Sequence, residues 1–166
     1  MTNVPGWRGR FFEDFRVGDV YHHPLGRTVT ETDNSWFTLL TQNTAALHFD
    51  KHYAAQTEFG RPLVNSAFTL ALVTGQSVSD VSQNVMANLG WDHVTLPHPL
   101  FEGDTVYSKS EVLEVRASKS RPNVGVVTVH TVGFNQEGVI IIEFDRTLLV
   151  YRLGHSPKIP NPTPGH

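Results

Sequence analysis

The sequence has no cysteine, which rules out a disulfide frame, a thiolate nucleophile and a thiolate-bound metal, and suits a reducing cytoplasm. Charge is also sparse. Asp, Glu, Lys and Arg make up 17% of the chain and the formal net charge is -3, so no general basic surface is available for nucleic acid or acidic membranes. Long hydrophobic runs are missing as well, and no stretch is long and apolar enough to span a bilayer. The opening MTNVPGWRGRFFEDF lacks the basic segment and apolar core of a signal peptide. These absences together lead to the expectation of a soluble cytoplasmic protein. What is present is 39% hydrophobic content over 166 residues, enough for one compact domain with a real core.

Residues 1–26 hold Pro, Gly and aromatics without a sustained period and read as an arm leading into a sheet. A short strand is expected over residues 27–32. Thr32, Asp33 or Asn34 then caps a helix that presents Trp36, Phe37, Leu39 and Leu40 as its apolar face and ends near Asn43. Residues 43–65 read as a long connection with one helical turn over 52–56, closed by the Gly60 and Pro62 breakers. The following SAFTLALVTGQSVSD is apolar around nearly the whole helical circumference, so it is expected inside the fold.

The second half is β-branched, partly alternating and punctuated by Gly, Asn and Pro, which predicts four strands. Residues 124–134 put Gly125, Val127, Val129, Thr131 and Gly133 on one small face, against which a helix can lie. The NQEG at 135–138 suits the turn of an antiparallel hairpin. Residues 153–166 form a Pro-rich polar tail expected to be disordered or extended. The class that fits is α+β: one hot-dog domain over residues 27–152, an antiparallel sheet wrapped around a central buried helix.

The stretch LTQNTAALHFDKHYAAQTEFGRPLVNSAF (39–68) resembles the signature of the MaoC-like dehydratases, which include the (R)-specific enoyl-CoA hydratases. Leu47 and His48 match its aliphatic-His pair, Asp50 the following acid, Ala54 and Ala55 the alanine turn, and Arg61, Pro62 and Val64 the later element. HPLFEGDTV at 98–106 and RASKSRPNVGVVTV at 116–129 are similar to further family patterns, so the likeness covers about residues 15–152. It departs where Asn43 stands in place of the usual catalytic Asp, Ala45 and Ala46 replace Asn-Pro, and Asn65-Ser66 replace His-Gly. The wording looks closer to the mesaconyl-CoA hydratase branch, which acts on short branched thioesters carrying a distal carboxylate.

The resemblance implies reversible hydration of an enoyl-CoA thioester. That chemistry needs a base near water, a proton for the α-carbon and donors for an enolate-like oxygen. His48 is the implied acid/base, with Asn43 holding the water through its side-chain carbonyl. Asp50 either orients His48 or caps the turn at His52. Ser66 offers a backbone N–H to the thioester oxygen, while Asn65 lines the pocket, caps the helix or does both. Arg61 is the expected partner of the distal carboxylate, and Arg116, Lys119 and Arg121 the densest basic group available to the coenzyme A phosphates; an anchored loop and a solvated hairpin are the plain alternatives.

His48 and His52 have the i, i+4 spacing of a metal pair, but no carboxylate cluster supports one, so no metal or redox cofactor is expected and coenzyme A enters as part of the substrate. His93, His98 and His130 are read as paired or solvated, and Thr74 as bonding back to its own backbone. The family also implies a homodimer with a continuous sheet, and no nucleic-acid or membrane partner. Two rivals remain: a hot-dog thioesterase, disfavoured because the central helix has no carboxylate before Asp80, and a catalytically silent acyl-CoA-binding protein, kept open by Asn43.

Overall fold

The computed structural model describes residues 6–158 and 160. Its elements run β1 (Val20–His22), β2 (Arg27–Thr28), α1 (Glu31–Leu40), α2 (Lys51–Ala54), α3 (Ser66–Gln76), β3 (Val85–Thr95), β4 (Thr105–Ala117), β5 (Val124–Phe134) and β6 (Ile140–Tyr151). The sheet is antiparallel in the order β1-β4-β5-β6-β3, with β2 also pairing β4. The four strands expected in the second half are all present. The sheet takes its first strand from residues 20–22, ahead of residue 27. Of the Pro-rich tail, residues 159 and 161–166 lie outside the described residues.

The helix rests on the small face of β5. Gly133 permits the approach, because a Cβ there would stand 2.7 Å from a Val73 methyl and 2.8 Å from an Ile142 methyl. Val73, Val64, Leu100, Val106, Ile142 and Phe144 form the core under the helix, and Val81, Val112, Val127, Val129 and Leu148 continue it along the sheet. The turn at 135–139 is built by Asn135, whose Oδ1 accepts the N–H groups of Glu137 and Val139, while Gly138 takes the left-handed backbone (φ 78°) the turn requires.

Several local expectations change. The strand at 27 lasts two residues because Thr30, not Thr32, Asp33 or Asn34, caps α1: Thr30 Oγ1 accepts from Asp33 N–H and Asp33 accepts from Thr30 N–H, a reciprocal box. The helix ends at Leu40 rather than Asn43, and Gln42 follows in a left-handed conformation. Its buried side is polar. Asn34 and Thr38 are fully enclosed, whereas Trp36, Leu39 and Leu40 face outward and only Phe37, edge-on to Phe68, packs inward. Nor is α3 wholly buried: Thr69 and Val73 are, but Ala67, Ala71 and Gly75 are exposed, because the sheet covers one side of the helix only. Thr74 Oγ1 does not bond back to its helix; it accepts from the Trp91 indole at 3.3 Å.

Candidate active site

The loop from residue 43 to 65 folds into a short 3-10 turn at Ala46–His48, then α2, then an extended return in which Leu63 bridges Phe101. His48 Nδ1 lies 2.8 Å from Leu63 O. A carbonyl only accepts, so Nδ1 carries the proton, and in the neutral ring the lone pair is on Nε2, the tautomer a base needs. The ring is half-buried.

Three residues beyond Leu63, α3 begins. Asn65 is its N-cap: Oδ1 accepts from Ala67 N–H at 2.9 Å and Nδ2 donates to Thr38 Oγ1 at 3.1 Å. The capping duty is therefore realised and occupies both ends of the Asn65 amide, which is almost completely buried. Ser66 is exposed at the first helical position, where helix geometry leaves its N–H without an intrahelical acceptor.

Asn34, read from sequence only as a possible cap, ties these pieces together from α1. Its Nδ2 is 2.8 Å from His48 O, 3.2 Å from Leu63 O and 3.2 Å from Glu102 Oε1, and its Oδ1 accepts from Asn65 N–H at 3.0 Å. One enclosed amide thus holds the histidine turn, the carbonyl that orients the imidazole, a carboxylate and the start of α3. Glu102, half-buried, was not anticipated either. The signal for Asn34 is its pairing with Thr38 at i, i+4, a polar stripe on a helix whose apolar residues drew attention elsewhere.

Asn43 sits just after α1, its Oδ1 accepting from Ala45 N–H at 2.9 Å. Asp50 caps α2 through Tyr53 N–H at 3.0 Å, the plainer of its two expected duties. Arg61 stacks 3.9 Å over Phe101. Arg116, Lys119 and Arg121 are exposed at the β4–β5 hairpin, the opposite end of β4 from the Phe101 bridge; Arg116 pairs there with Glu114. The structure does not bring these three beside α3's first turn. A cavity of ≈ 760 Å³ runs along the outer side of α3, between it and the β1–β2 connection, with Phe37, Phe68, Leu72, Gln76 and Arg27 in its wall.

Two further clusters lie away from this loop. His23, enclosed, reaches Asp80 through Nδ1 and Ser110 Oγ through Nε2, each at 2.9 Å, and Arg10 pairs with Asp80 at 3.0 Å. Burial pulls the His23 imidazole below its usual range despite the opposing Asp80 bond. Burial pushes Asp80 up, but its bonds from His23 and Arg10 more than offset this and hold it low. His93 and His130 both hold Asp145, at 2.9 and 2.8 Å, on the outer sheet face.

A sheet curved around one central helix, with a histidine loop at that helix's N-terminus, is the hot-dog fold of the MaoC-like dehydratases. A MaoC-like dehydratase from Rhodospirillum rubrum superposes with TM-score 0.76 at 26% identity over 87% of this chain and 98% of that one. A Mycobacterium tuberculosis protein described as having a double hotdog fold gives 0.79 at 23% identity, over 95% of this chain and 47% of that one. The chain belongs to the mesaconyl-CoA hydratase family, whose model matches residues 6–156. The β-methylmalyl-CoA dehydratase of Chloroflexus aurantiacus is 34% identical over 93% of this chain and 43% of its own length. The chain thus spans under half the length of the curated mesaconyl-CoA-type relatives it matches.

Proposed function

We propose that this chain reversibly hydrates a short, branched or carboxylated enoyl-CoA thioester of the mesaconyl-CoA type. The observation that carries the reading is the Nδ1–H of His48 donated to Leu63 O, which leaves Nε2 as a base beside the start of α3. In hydration, Nε2 takes a proton from water as the water oxygen bonds to the β-carbon. The thioester oxygen gathers the displaced electron pair against the Ser66 N–H, and the imidazolium returns its proton to the α-carbon. Asn43 Oδ1, which spends one lone pair on Ala45, offers the other to the attacking water.

The mechanism uses no metal and no redox cofactor; coenzyme A arrives with the acyl group. The hot-dog domain expected over 27–152 extends back to take in β1 and Phe15, and a flanking arm and tail and a cytoplasmic location belong to the same reading. A homodimer through the β3 edge is proposed with it. Leu89, Trp91 and Val94 are exposed on that strand, which among the described residues pairs only with β6, and α3 leaves one side uncovered.

The test is a panel of crotonyl-, mesaconyl- and itaconyl-CoA with the purified protein, free CoA being monitored in parallel. Hydration of a carboxylated substrate without CoA release is expected. Release of CoA indicates a thioesterase instead, and tight binding without turnover a silent acyl-CoA-binding protein.

A further inference from the structure

Three arginines are candidates for meeting a carboxylate on the acyl group, and their surroundings separate them. Arg61, the one expected from its nearness in sequence, stacks on Phe101 and is absent from the cavity wall. Arg146 is buried without an acidic partner among the described residues. Its Nε donates to Asn88 Oδ1 at 2.6 Å and one amino nitrogen to Ser77 Oγ at 3.2 Å, and it too is absent from the wall. Ser77 follows the last residue of α3, eleven residues from Ser66, which at the α-helical rise puts the Arg146 group roughly 16 Å from the oxyanion end. A four-carbon acyl chain is far shorter. Arg27 is the one charged residue in the cavity wall among the described residues.

We infer that Arg27 is the specificity residue of an acyl subsite in this cavity and receives the distal carboxylate of the substrate. The inference rests on the hydratase reading above. The cavity wall begins at Phe68, in the first turn of α3 and two residues past Ser66, and its other named groups are apolar or neutral. Arg27 is held at the start of α1: its guanidinium donates to Asp33 Oδ1 at 2.7 Å and to Thr28 O at 2.8 Å. Asp33 stands one helical turn before Phe37, and Phe37 lies edge-on to Phe68 at 5.4 Å between ring centroids. Asn34, the residue after Asp33, accepts the Asn65 N–H at 3.0 Å, so the Asp33 that holds the cation is next in sequence to a residue bonded to the start of α3.

The guanidinium has five N–H groups, and its two recorded bonds leave donors for a carboxylate. Asp33 fixes the head group, and is itself fixed by accepting from the Thr30 N–H and hydroxyl. An apolar wall around one pinned cation selects for an acyl group that is hydrocarbon along its length and anionic at its end.

The experiment compares mesaconyl-CoA with the same enoyl thioester carrying a methyl in place of the carboxylate, on wild type, Arg27→Gln and Arg27→Lys. Arg27→Gln is expected to lower kcat/KM for mesaconyl-CoA by 10- to 100-fold and leave the methyl analogue within about twofold, with partial recovery in Arg27→Lys. Equal losses on both substrates, or none on either, overturn the inference, the Tm of each variant being measured to establish that it is folded. Calorimetric binding of both thioesters to wild type and Arg27→Gln is measured alongside. Carboxylate-dependent binding that needs Arg27, without turnover, removes the hydratase reading and leaves the subsite standing. Affinities indifferent to Arg27 remove the subsite alone.

Discussion

At the scale of single residues, the site depends on which groups are already committed. His48 has one nitrogen fixed on Leu63 O and one at liberty for chemistry, so His48→Ala should cost at least a hundredfold in kcat. Asn34 does no chemistry but holds four partners from a fully enclosed position. Asn34→Ala should destabilise the fold by about 2–4 kcal/mol, read by urea denaturation, and should lower kcat more than it raises KM, because the His48 turn loses its anchor. His48 was legible in the sequence because its spacing to Asp50, Arg61 and Pro62 matches a family motif. Asn34 and Glu102 were not, because a hydrogen-bonding hub is defined by what surrounds it in space and lies 14 and 68 residues from its partners His48 and Glu102.

At the scale of elements, the four strands of the second half and α3 were readable from alternation and from a continuous apolar run, whereas β1 was read as part of an arm and α1 largely inside out. Trp36, Leu39 and Leu40 point away because its main docking contacts are the Asn34 and Thr38 hydrogen bonds, a case in which polar satisfaction outranks periodicity. The close seating of α3 gives a direct test: Gly133→Ala pushes a methyl into Val73 and Ile142 and should cost about 1–3 kcal/mol, visible as a lower Tm.

The His23 link joins β1 to the turn after α3 and to β4. Burial depresses its pKa below the unfolded value of about 6.5, so the unfolded chain binds the proton first as pH falls. The stabilisation from keeping His23 neutral is whole above that value and declines as pH drops through the interval down to the depressed folded pKa. Asp80, Arg10, Ser110 and His22 are the charged and polar groups that bear on it. Urea midpoints measured from pH 7.5 to 5 should therefore fall in wild type, and fall less steeply in His23→Gln.

At the scale of the whole molecule, apolar surface is left open: the β3 edge shows Leu89, Trp91 and Val94 to the outside, and α3 is exposed at Ala67, while Ala71 and Gly75 border the cavity. Sedimentation of the purified chain should give twice its 18.5 kDa mass, and Trp91→Asp should shift it towards monomer. The homodimer is expected from the family resemblance, since residue pattern alone reads an apolar helix the same whether its own sheet or a second copy covers it.

The central claim is that His48 adds and removes water at an enoyl thioester, and its most direct measurement is turnover of mesaconyl-CoA in oxygen-18 water by wild type and His48→Ala side by side. The account predicts a hydrated thioester with one heavy oxygen on the β-carbon and no free CoA from wild type, and no such product from His48→Ala. Labelled product at equal rates from both proteins, or heavy oxygen appearing in a released acid together with free CoA, would contradict it.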